Sequence, residues 1–484
     1  MPPFIKWMPG MAWWMEKLAG FSKPVPIVTA NYLAEIRLNA RGAEEFSPTT
    51  HFDLLSWTCI CLMGKTPKVR KSALLLALLV CPILAQSQGV FSLKDDDRVV
   101  FYGDSITDNA PYTRFAEIFV RLRYPNLNTH FYNAGVSGDR VTGGGMGPVD
   151  ERLPRDLFSR KPTVITVMLG MNDGSYTPSK PEIESTYRTG YQHIIDRFKA
   201  EAPRARVFLI MPSPYDDVTR EPGWPGGYNS VLRGYSDLIQ SLATANGYAT
   251  VDFNAPVVQM LEAAKASNPG QAAKIIGDRV HPGPAGHLVM AEQLLLAWGA
   301  TPVVSHVTID SASGQAQAMM AKVQVQSAKD TIRWTQTEGG LPFPVDRKDA
   351  NAALVLSSSD FDEKLNKETL IVKNLKAGTY RLTIDGKAIG DFTPDQLAIG
   401  INLAQFETPM MEQARAVAAA VNRRADLAFA NWRQVEFAQR WATGPKRDAA
   451  VKALDAFSDD MIARARALAK PVPHSFELAP VAPR

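Results

Sequence analysis

The stretch VVFYGDS at residues 99–105 indicates the fold and places the first reactive side chain. Residues 99–102 have the β-branched and aromatic composition of a buried strand, and Gly103 permits a tight turn directly after them. A helical pattern begins a few residues later. Ser105 is therefore predicted to lie between the carboxyl end of a strand and the start of a helix, where backbone N–H groups are free.

The alternation of apolar strand and amphipathic helix continues to about residue 300. Such alternation predicts a parallel sheet covered by helices on both faces, which is a three-layer α/β/α fold. In sheets of this kind, functional groups lie beyond the carboxyl ends of the strands. The predicted strands are 99–102, 130–133, 164–169, 207–211 and 249–253, and the main predicted helices are 187–200, 228–245 and 285–298.

Three more short motifs follow the first one along the chain. They are SG at residues 137–138, GMND at 170–173 and DRVHP at 278–282. Three of the four motifs directly follow a predicted strand, so they are expected to meet at one edge of the sheet. Together they supply a nucleophile, oxyanion donors and a base with an orienting carboxylate, which is the set of groups that acyl transfer needs.

Ser105 is the predicted nucleophile and His281 the base that removes its proton. Asp278 stands three residues before His281, so one local turn brings its carboxylate to an imidazole N–H and fixes the tautomer. Taken singly, Ser105 is also compatible with a helix cap, and Asp278 and His281 with a surface pair. The occurrence of all four motifs in this order favours the catalytic interpretation.

Two further residues are candidate oxyanion donors beside the Ser105 N–H. Gly138 would donate its backbone N–H, because glycine permits a close approach of the backbone, and Asn172 would donate its side-chain amide. The alternative for both is an ordinary role in a loop or turn.

With these motifs the chain resembles the SGNH or GDSL hydrolases over residues 97–300. The resemblance implies a flavodoxin-like domain with a five-stranded parallel sheet and a Ser-His-Asp esterase mechanism. It implies acetylesterase, lipase-like, lysophospholipase or thioesterase activity without choosing among them. Neither Ser105 nor Ser137 lies in the Gly-x-Ser-x-Gly motif of the α/β-hydrolases.

A loop rich in glycine and proline follows the fourth predicted strand and would border the site. Trp224 and Tyr228 in this loop could stack on a sugar ring or shield an acyl group, and aromatic packing under the loop is the alternative. No cofactor and no metal are expected, since the histidines outside the motifs lack partners at ligand spacing.

The net positive charge and the cysteines of the 484-residue chain all lie in its first 87 residues. Residues 1–87 hold nine Lys/Arg, five Asp/Glu and all three cysteines, and the remainder holds 44 of each charge. The net positive charge of the chain therefore does not indicate a nucleic-acid or anionic-membrane partner. Because residues 88–484 have no cysteine, a disulfide or a cysteine metal site is excluded there.

Residues 63–87 have the pattern of a secretory signal peptide. A basic stretch precedes an apolar run, and Ala85-Gln86-Ser87 closes it. We therefore expect translation to begin at Met63, residues 1–62 to be an upstream extension, and the mature protein to be secreted or periplasmic without a membrane span. The alternative is a genuine N-terminal extension with a membrane-associated segment.

The hydrophobic pattern of the sequence changes after the predicted hydrolase domain, which covers residues 96–301. Alternating apolar residues predict a small β unit over 302–390, with a hairpin turn at Asp385-Gly386. Thr-Pro pairs and an alanine-rich pattern predict a helical hairpin over 391–470, and residues 471–484 are expected to be a tail.

The expected function is hydrolysis of a short-acyl ester, with acetylated carbohydrate as the expected substrate, because an exported enzyme with aromatic residues near its site suits polysaccharide. The open alternatives are a lipase, lysophospholipase or thioesterase of the same family, and a non-catalytic protein that binds glycan or an envelope partner. The sequence does not predict the oligomeric state.

Overall fold

The computed structural model describes residues 91–328, 331–442 and 444–482. The predicted signal peptide at 63–87 and the upstream segment 1–62 lie outside the described residues.

A five-stranded parallel sheet forms the centre of the hydrolase domain, as predicted. Its strand order is β2-β1-β5-β6-β7, so the chain first winds to one side of β1 and then crosses to the other. The elements are β1 (Arg98–Gly103), α1 (Ser105–Asp108), α2 (Pro111–Arg123), β2 (His130–Gly135), the short ladder β3 (Gly143–Gly144) and β4 (Gly147–Pro148), α3 (Val149–Arg152), β5 (Val164–Met168), α4 (Pro181–Glu201), β6 (Arg206–Met211), α5 (Gly227–Asn246), β7 (Ala249–Asp252), α6 (Ala255–Ser267), α7 (Pro269–Ala272) and α8 (Pro284–Ala297).

All five predicted strands are confirmed, with bounds that differ by one or two residues. The central strands are almost wholly buried because helices cover both faces of the sheet, which explains their continuous apolar sequences. The reversal of winding lies between β1 and β5. Ligands bind at such a reversal in open α/β sheets, and the first and third motifs follow these two strands.

Two smaller sheets follow the hydrolase domain. One has the order β10-β11-β16-β13-β14, with every neighbouring pair antiparallel, and the other has the order β15-β12-β8-β9. Their elements are β8 (Val303–Asp310), β9 (Ala316–Met319), β10 (Ala321–Ala328), β11 (Ile332–Glu338), α9 (Ala350–Ser357), α10 (Phe361–Leu365), β12 (Lys367–Lys373), β13 (Tyr380–Ile384), β14 (Lys387–Phe392), α11 (Pro394–Ile399), β15 (Ile401–Asn402) and β16 (His474–Pro480).

The structure differs from the sequence prediction in two places of this region. Residues 471–484 are no tail, because they contain β16, which lies between β11 and β13. The segment 302–390 is also not purely β, since helices α9 and α10 interrupt it. The predicted hairpin turn is present, and Asp385 and Gly386 both have a positive φ.

The helical hairpin consists of α12 (Pro409–Ala430) and α13 (Pro445–Leu468). A π-helical segment, Asn431–Phe437, continues α12 without a break. Thr408 caps α12 by accepting a hydrogen bond from the Met411 N–H, as its sequence position predicts. The hairpin packs on α2, where Arg424 pairs with buried Glu117.

Across the described part of the chain, no helix combines the length and the apolar character needed to cross a bilayer.

Candidate active site

Ser105 is the first residue of the short helix α1, directly after the turn that ends β1. The preceding Asp104 caps this helix, since its carboxylate accepts a hydrogen bond from the Ile106 N–H at 3.0 Å. The turn is tight, and a Cβ on Gly103 would lie 2.7 Å from the Met168 carbonyl oxygen of β5. The sequence therefore folds so that the serine is held at the sheet edge with 8% of its surface exposed.

The structure brings the three predicted catalytic residues into one hydrogen-bonded chain. The Ser105 Oγ lies 2.8 Å from His281 Nε2, and His281 Nδ1 lies 2.6 Å from Asp278 Oδ2. Because a carboxylate only accepts, Nδ1 carries the proton and Nε2 is free to accept from the serine hydroxyl. This is the tautomer that a general base needs.

The loop that carries Asp278 and His281 is held in one conformation. The other carboxylate oxygen of Asp278 accepts the backbone N–H groups of Val280 at 2.9 Å and His281 at 2.7 Å. Arg279 has a left-handed φ of 72°, which is unfavourable for a residue with a side chain. Its guanidinium pairs with Asp217 at 2.6 Å and fixes the loop to the segment that follows β6.

The hydrogen bond between Asp278 and His281 changes the pKa of both groups. Partial burial alone would raise the pKa of Asp278, but the hydrogen bonds from the His281 ring and from two backbone N–H groups outweigh it and hold the pKa well below its ordinary value. The same contact raises the pKa of His281, against the opposing effect of burial. The imidazolium that forms during proton transfer is thereby stabilised.

His287, which follows the last motif, is a structural residue. It is fully buried, its ring stacks on Tyr112, and its Nδ1 accepts from the Tyr112 N–H at 3.3 Å. Burial lowers the pKa of His287 to about 3, so the ring stays neutral.

The two predicted oxyanion donors lie on neighbouring loops. The Asn172 amide donates to the Asp139 carbonyl at 3.0 Å, which joins it to the residue after Gly138. An amide has two N–H donors, so one remains available. Gly138 has a φ of 81°, is exposed, and has no described heavy atom near the position that a Cβ would take. A substrate could therefore approach the Gly138 backbone closely.

The aromatic residues of the loop after β6 differ in their exposure. Tyr228 is buried and donates its hydroxyl to the Met171 carbonyl at 2.7 Å, so the structure gives it a packing role rather than the predicted contact with substrate. Trp224 is partly exposed and packs against Tyr228. Its contact with substrate stays a prediction.

The sequence analysis missed Tyr176. This side chain is 42% exposed and packs on the buried Tyr228 ring, and its hydroxyl lies 3.1 Å from Asn172 Oδ1. Burial of the hydroxyl end and the nearby carboxylates of Asp104 and Asp278 raise the pKa of Tyr176 to about 12, so the hydroxyl keeps its proton and donates to Asn172. No local pattern in the sequence marked this residue, because its contact with Asn172 depends on the left-handed turn at Ser175 and Tyr176.

Three carboxyl groups are buried beneath the site. Burial raises the pKa of Asp104 to about 7, of Asp139 to about 6 and of Asp173 to about 7. Asp173 accepts the Val141 N–H at 2.9 Å. These groups shape the loops around the serine.

The site is accessible from solvent, since the side chains of Asp278 and His281 are 57% and 35% exposed. A cavity of about 320 Å³ lies between α2, β2 and the helical hairpin, and Ser105, His281 and Asp278 do not line it. The described residues hold no group of three His, Cys, Asp or Glu side chains that could bind a metal ion.

Comparison with known proteins identifies the domain. Residues 101–289, which include all four motifs, match the GDSL-like Lipase/Acylhydrolase family. An acetylxylan esterase of Geobacillus stearothermophilus is 22% identical over 218 residues, which cover 41% of this chain and 92% of the relative.

A solved structure extends the similarity beyond the hydrolase domain. It is that of a gut microbial diltiazem-metabolizing enzyme, which is 27% identical, has a TM-score of 0.71, and covers 81% of this chain and 99% of its own. An alignment of this extent includes most of the C-terminal sheets and helices. The fold is thus shared as a whole, residues 101–289 belong to the GDSL-like lipase/acylhydrolase family, and the protein is an ester-hydrolysing enzyme.

Proposed function

We propose that the protein is a serine esterase that works through an acyl-enzyme on Ser105. The observation that carries this proposal is the 2.8 Å contact between the Ser105 hydroxyl and His281 Nε2, with Asp278 on the far side of the ring. This arrangement supplies a nucleophile, its base and the group that orients the base.

The proposed reaction has two halves. Ser105 Oγ attacks the ester carbonyl carbon as its proton moves to His281 Nε2, and the carbonyl oxygen becomes an oxyanion. The backbone N–H groups of Ser105 and Gly138 and the Asn172 amide donate to that oxygen. Collapse breaks the bond to the alcohol, which takes the proton from His281. Water then repeats the sequence on the acyl-enzyme, releases the acid and restores Ser105.

We propose acetyl groups on carbohydrate as the substrate class. The site is open at the sheet edge, and Tyr176 and Trp224 offer partly exposed rings beside it, where a sugar ring can stack. The acetylxylan esterase similarity supports the same class.

A series of p-nitrophenyl esters from acetate to palmitate tests the acyl preference. We expect the highest kcat/KM on the acetate, together with release of acetate from acetylated xylan or pectin. Diltiazem contains an acetyl ester and is a third probe. A clear optimum on long acyl chains would refute the carbohydrate proposal and favour a lipase or lysophospholipase.

The matched control is the S105A variant, which removes one oxygen atom from the site. We expect it to lose esterase activity by a factor of about a million, because the nucleophile and base act as a unit. Wild-type activity in S105A would refute the serine mechanism whatever the substrate.

We also propose export of the mature enzyme, which mass spectrometry of the native N-terminus tests.

A further inference from the structure

The π-helical segment Asn431–Phe437 of the hairpin contacts the loop that carries Gly138, at a distance of almost 300 residues along the chain. Arg433 donates one guanidinium N–H to Asp108 at 2.6 Å and another to the Gly135 carbonyl at 2.9 Å. The other carboxylate oxygen of Asp108 accepts both the backbone N–H of Ser137 at 3.0 Å and its hydroxyl at 2.7 Å. Arg433 thereby holds both ends of the tripeptide before Gly138.

Trp432, which precedes Arg433, begins a second chain of hydrogen bonds that reaches the same loop. Its indole N–H donates to Asp156 at 3.1 Å, and Asp156 accepts from Arg152 at 3.0 Å. Arg152 also pairs with Asp139, whose carbonyl accepts from Asn172 at 3.0 Å. The intermediate side chains are fully or almost fully buried, so this network is rigid and screened from solvent.

Inside the hydrolase domain, the loop is fixed by two backbone hydrogen bonds, from the Val136 N–H to the Gly103 carbonyl at 2.9 Å and from the Asp139 N–H to the Val136 carbonyl at 3.1 Å. Ser137 and Gly138 are exposed, and Gly138 has no side chain and a positive φ. Val136 is the buried anchor of the loop, and its packing partners are Met146 and Trp432. The contacts from the C-terminal helical segment therefore add to these backbone bonds in setting the position of the Gly138 N–H.

We propose that Arg433 is a positioning residue for the oxyanion donors, and that the segment Asn431–Phe437 is the part of the C-terminal region that completes the active site. This rests on the proposed function. Arg433 touches no reacting atom and acts through Asp108, Gly135 and the Ser137 backbone. Oxyanion donors act on the transition state, so their misplacement lowers kcat and has little effect on substrate binding.

The hairpin has separate attachments that do not involve the site. Arg424 pairs with Glu117 of α2, and Arg466 donates to the Asn126 carbonyl at 2.9 Å. Loss of Arg433 alone therefore leaves the hairpin in place and releases only the loop. This makes a point variant a suitable test.

The test compares R433M with wild type on p-nitrophenyl acetate, in the full chain. Active serines are counted by complete labelling with a fluorophosphonate, and kcat is expressed per labelled Ser105. We expect kcat to fall about 10- to 100-fold with KM within about twofold, because a displacement of about 1 Å can cost a factor of a hundred. The acid limb of the pH profile, which belongs to His281, is expected to stay unchanged.

Two further variants make the outcome decisive. R433K keeps the charge without the planar pair of donors and is expected to lose kcat by an intermediate factor; it carries the test if R433M does not fold. R440M is the matched control, since Arg440 lies on the same hairpin and its contacts in the described part of the chain are to Phe437 and Trp441 of that hairpin, and it is expected to behave as wild type.

A kcat per labelled serine within twofold of wild type in both Arg433 variants would overturn the inference. If S105A is inactive in the same experiment, the proposed function stands and only the role of Arg433 fails. If Ser105 is not labelled and S105A is fully active, it is the serine mechanism that fails, and the role of Arg433 fails with it.

Discussion

The Asp278–His281 hydrogen bond determines the pH range in which the proposed base is neutral. The carboxylate stabilises the charged imidazole, so the pKa of His281 lies above its ordinary value of about 6.5. A base must be unprotonated to accept the Ser105 proton. Activity is therefore expected to rise with pH through this raised pKa.

The D278N variant tests this coupling. Without the carboxylate the imidazolium loses its stabilising partner, so the pKa of His281 falls and the acid limb of kcat/KM moves to lower pH. We also expect kcat to fall by about a thousandfold or more, because the tautomer is no longer fixed. A pH–rate series measures both effects, and an acid limb that stays in place would contradict the assignment.

The N172A variant tests the oxyanion donor. Loss of one such donor costs about a hundredfold to a thousandfold in kcat, and we expect KM to change little. The control is Y176F, which removes only the hydroxyl that orients Asn172. Its kcat should fall by no more than about tenfold. An N172A enzyme with normal kcat would exclude Asn172 as a donor.

At the residue scale, the motifs predicted the serine, histidine and aspartate that the structure joins by hydrogen bonds. They did not predict Tyr176 or Arg433. Tyr176 acts through the left-handed backbone of the turn that follows Asn172, and Arg433 comes from a distant helix. Neither feature has a local pattern in the sequence, because each depends on tertiary contact.

Among the elements, the junction of β1 with α1 is tightly packed. A Cβ on Gly103 would lie 2.2 Å from Thr107 Oγ1 and 2.7 Å from the Met168 carbonyl oxygen. The Met168 oxygen belongs to the backbone of β5 and cannot move without a shift of that strand. Glycine is therefore required here by close approach rather than by its backbone angles.

The G103A variant is expected to lower the free energy of unfolding by about 1–3 kcal/mol, as overpacked substitutions do. The control is G145A, because an added Cβ there meets no described atom within 4 Å. It should change stability by less than about 0.5 kcal/mol. Denaturant unfolding measures both variants, and equal stabilities would contradict the packing argument.

The strands of the parallel sheet were predictable because each is a buried apolar run flanked by turn residues. The strand β16 was not, although His474, Phe476 and Leu478 alternate with more exposed residues. A period of two over so few residues, after a proline and near the chain end, also suits an unstructured tail. The π-helical continuation of α12 has no sequence signature that distinguishes it from a helix.

On the scale of the whole molecule, the buried carboxyl groups make stability depend on pH. Burial and the neighbouring Glu338 raise the pKa of Glu368 well above its ordinary value, and neither of its oxygens has a hydrogen-bond partner among the described residues. The folded state therefore keeps this proton to a higher pH than the unfolded chain. The stabilisation is full below about pH 4.5 and is lost as the pH rises through the raised pKa.

The E368Q variant removes this titration. We expect the loss of unfolding free energy between about pH 5 and about pH 8 to be smaller in E368Q than in wild type. The control is E363Q, at an exposed position in α10 five residues earlier, which should keep the wild-type pH dependence. Denaturant unfolding at both pH values measures this loss. A loss of unfolding free energy in E368Q as large as in wild type would contradict the raised pKa of Glu368.

The arrangement of the whole chain was only partly predictable. Periodicity indicated a β unit and a helical hairpin after the hydrolase domain, but it could not show where they dock. The docking depends on charged and aromatic side chains such as Arg424, Arg433 and Trp432, which in the sequence look like ordinary members of an amphipathic helix. Their contacts connect the C-terminal region to the active-site loops.

The most direct test of the central claim is mass-spectrometric mapping of the residue that a fluorophosphonate labels. We predict one covalent adduct, on Ser105, that forms in wild type, is absent in S105A, and slows at pH values where His281 is protonated. Adduct formation on another residue, or none on folded wild-type enzyme, would contradict the proposed mechanism.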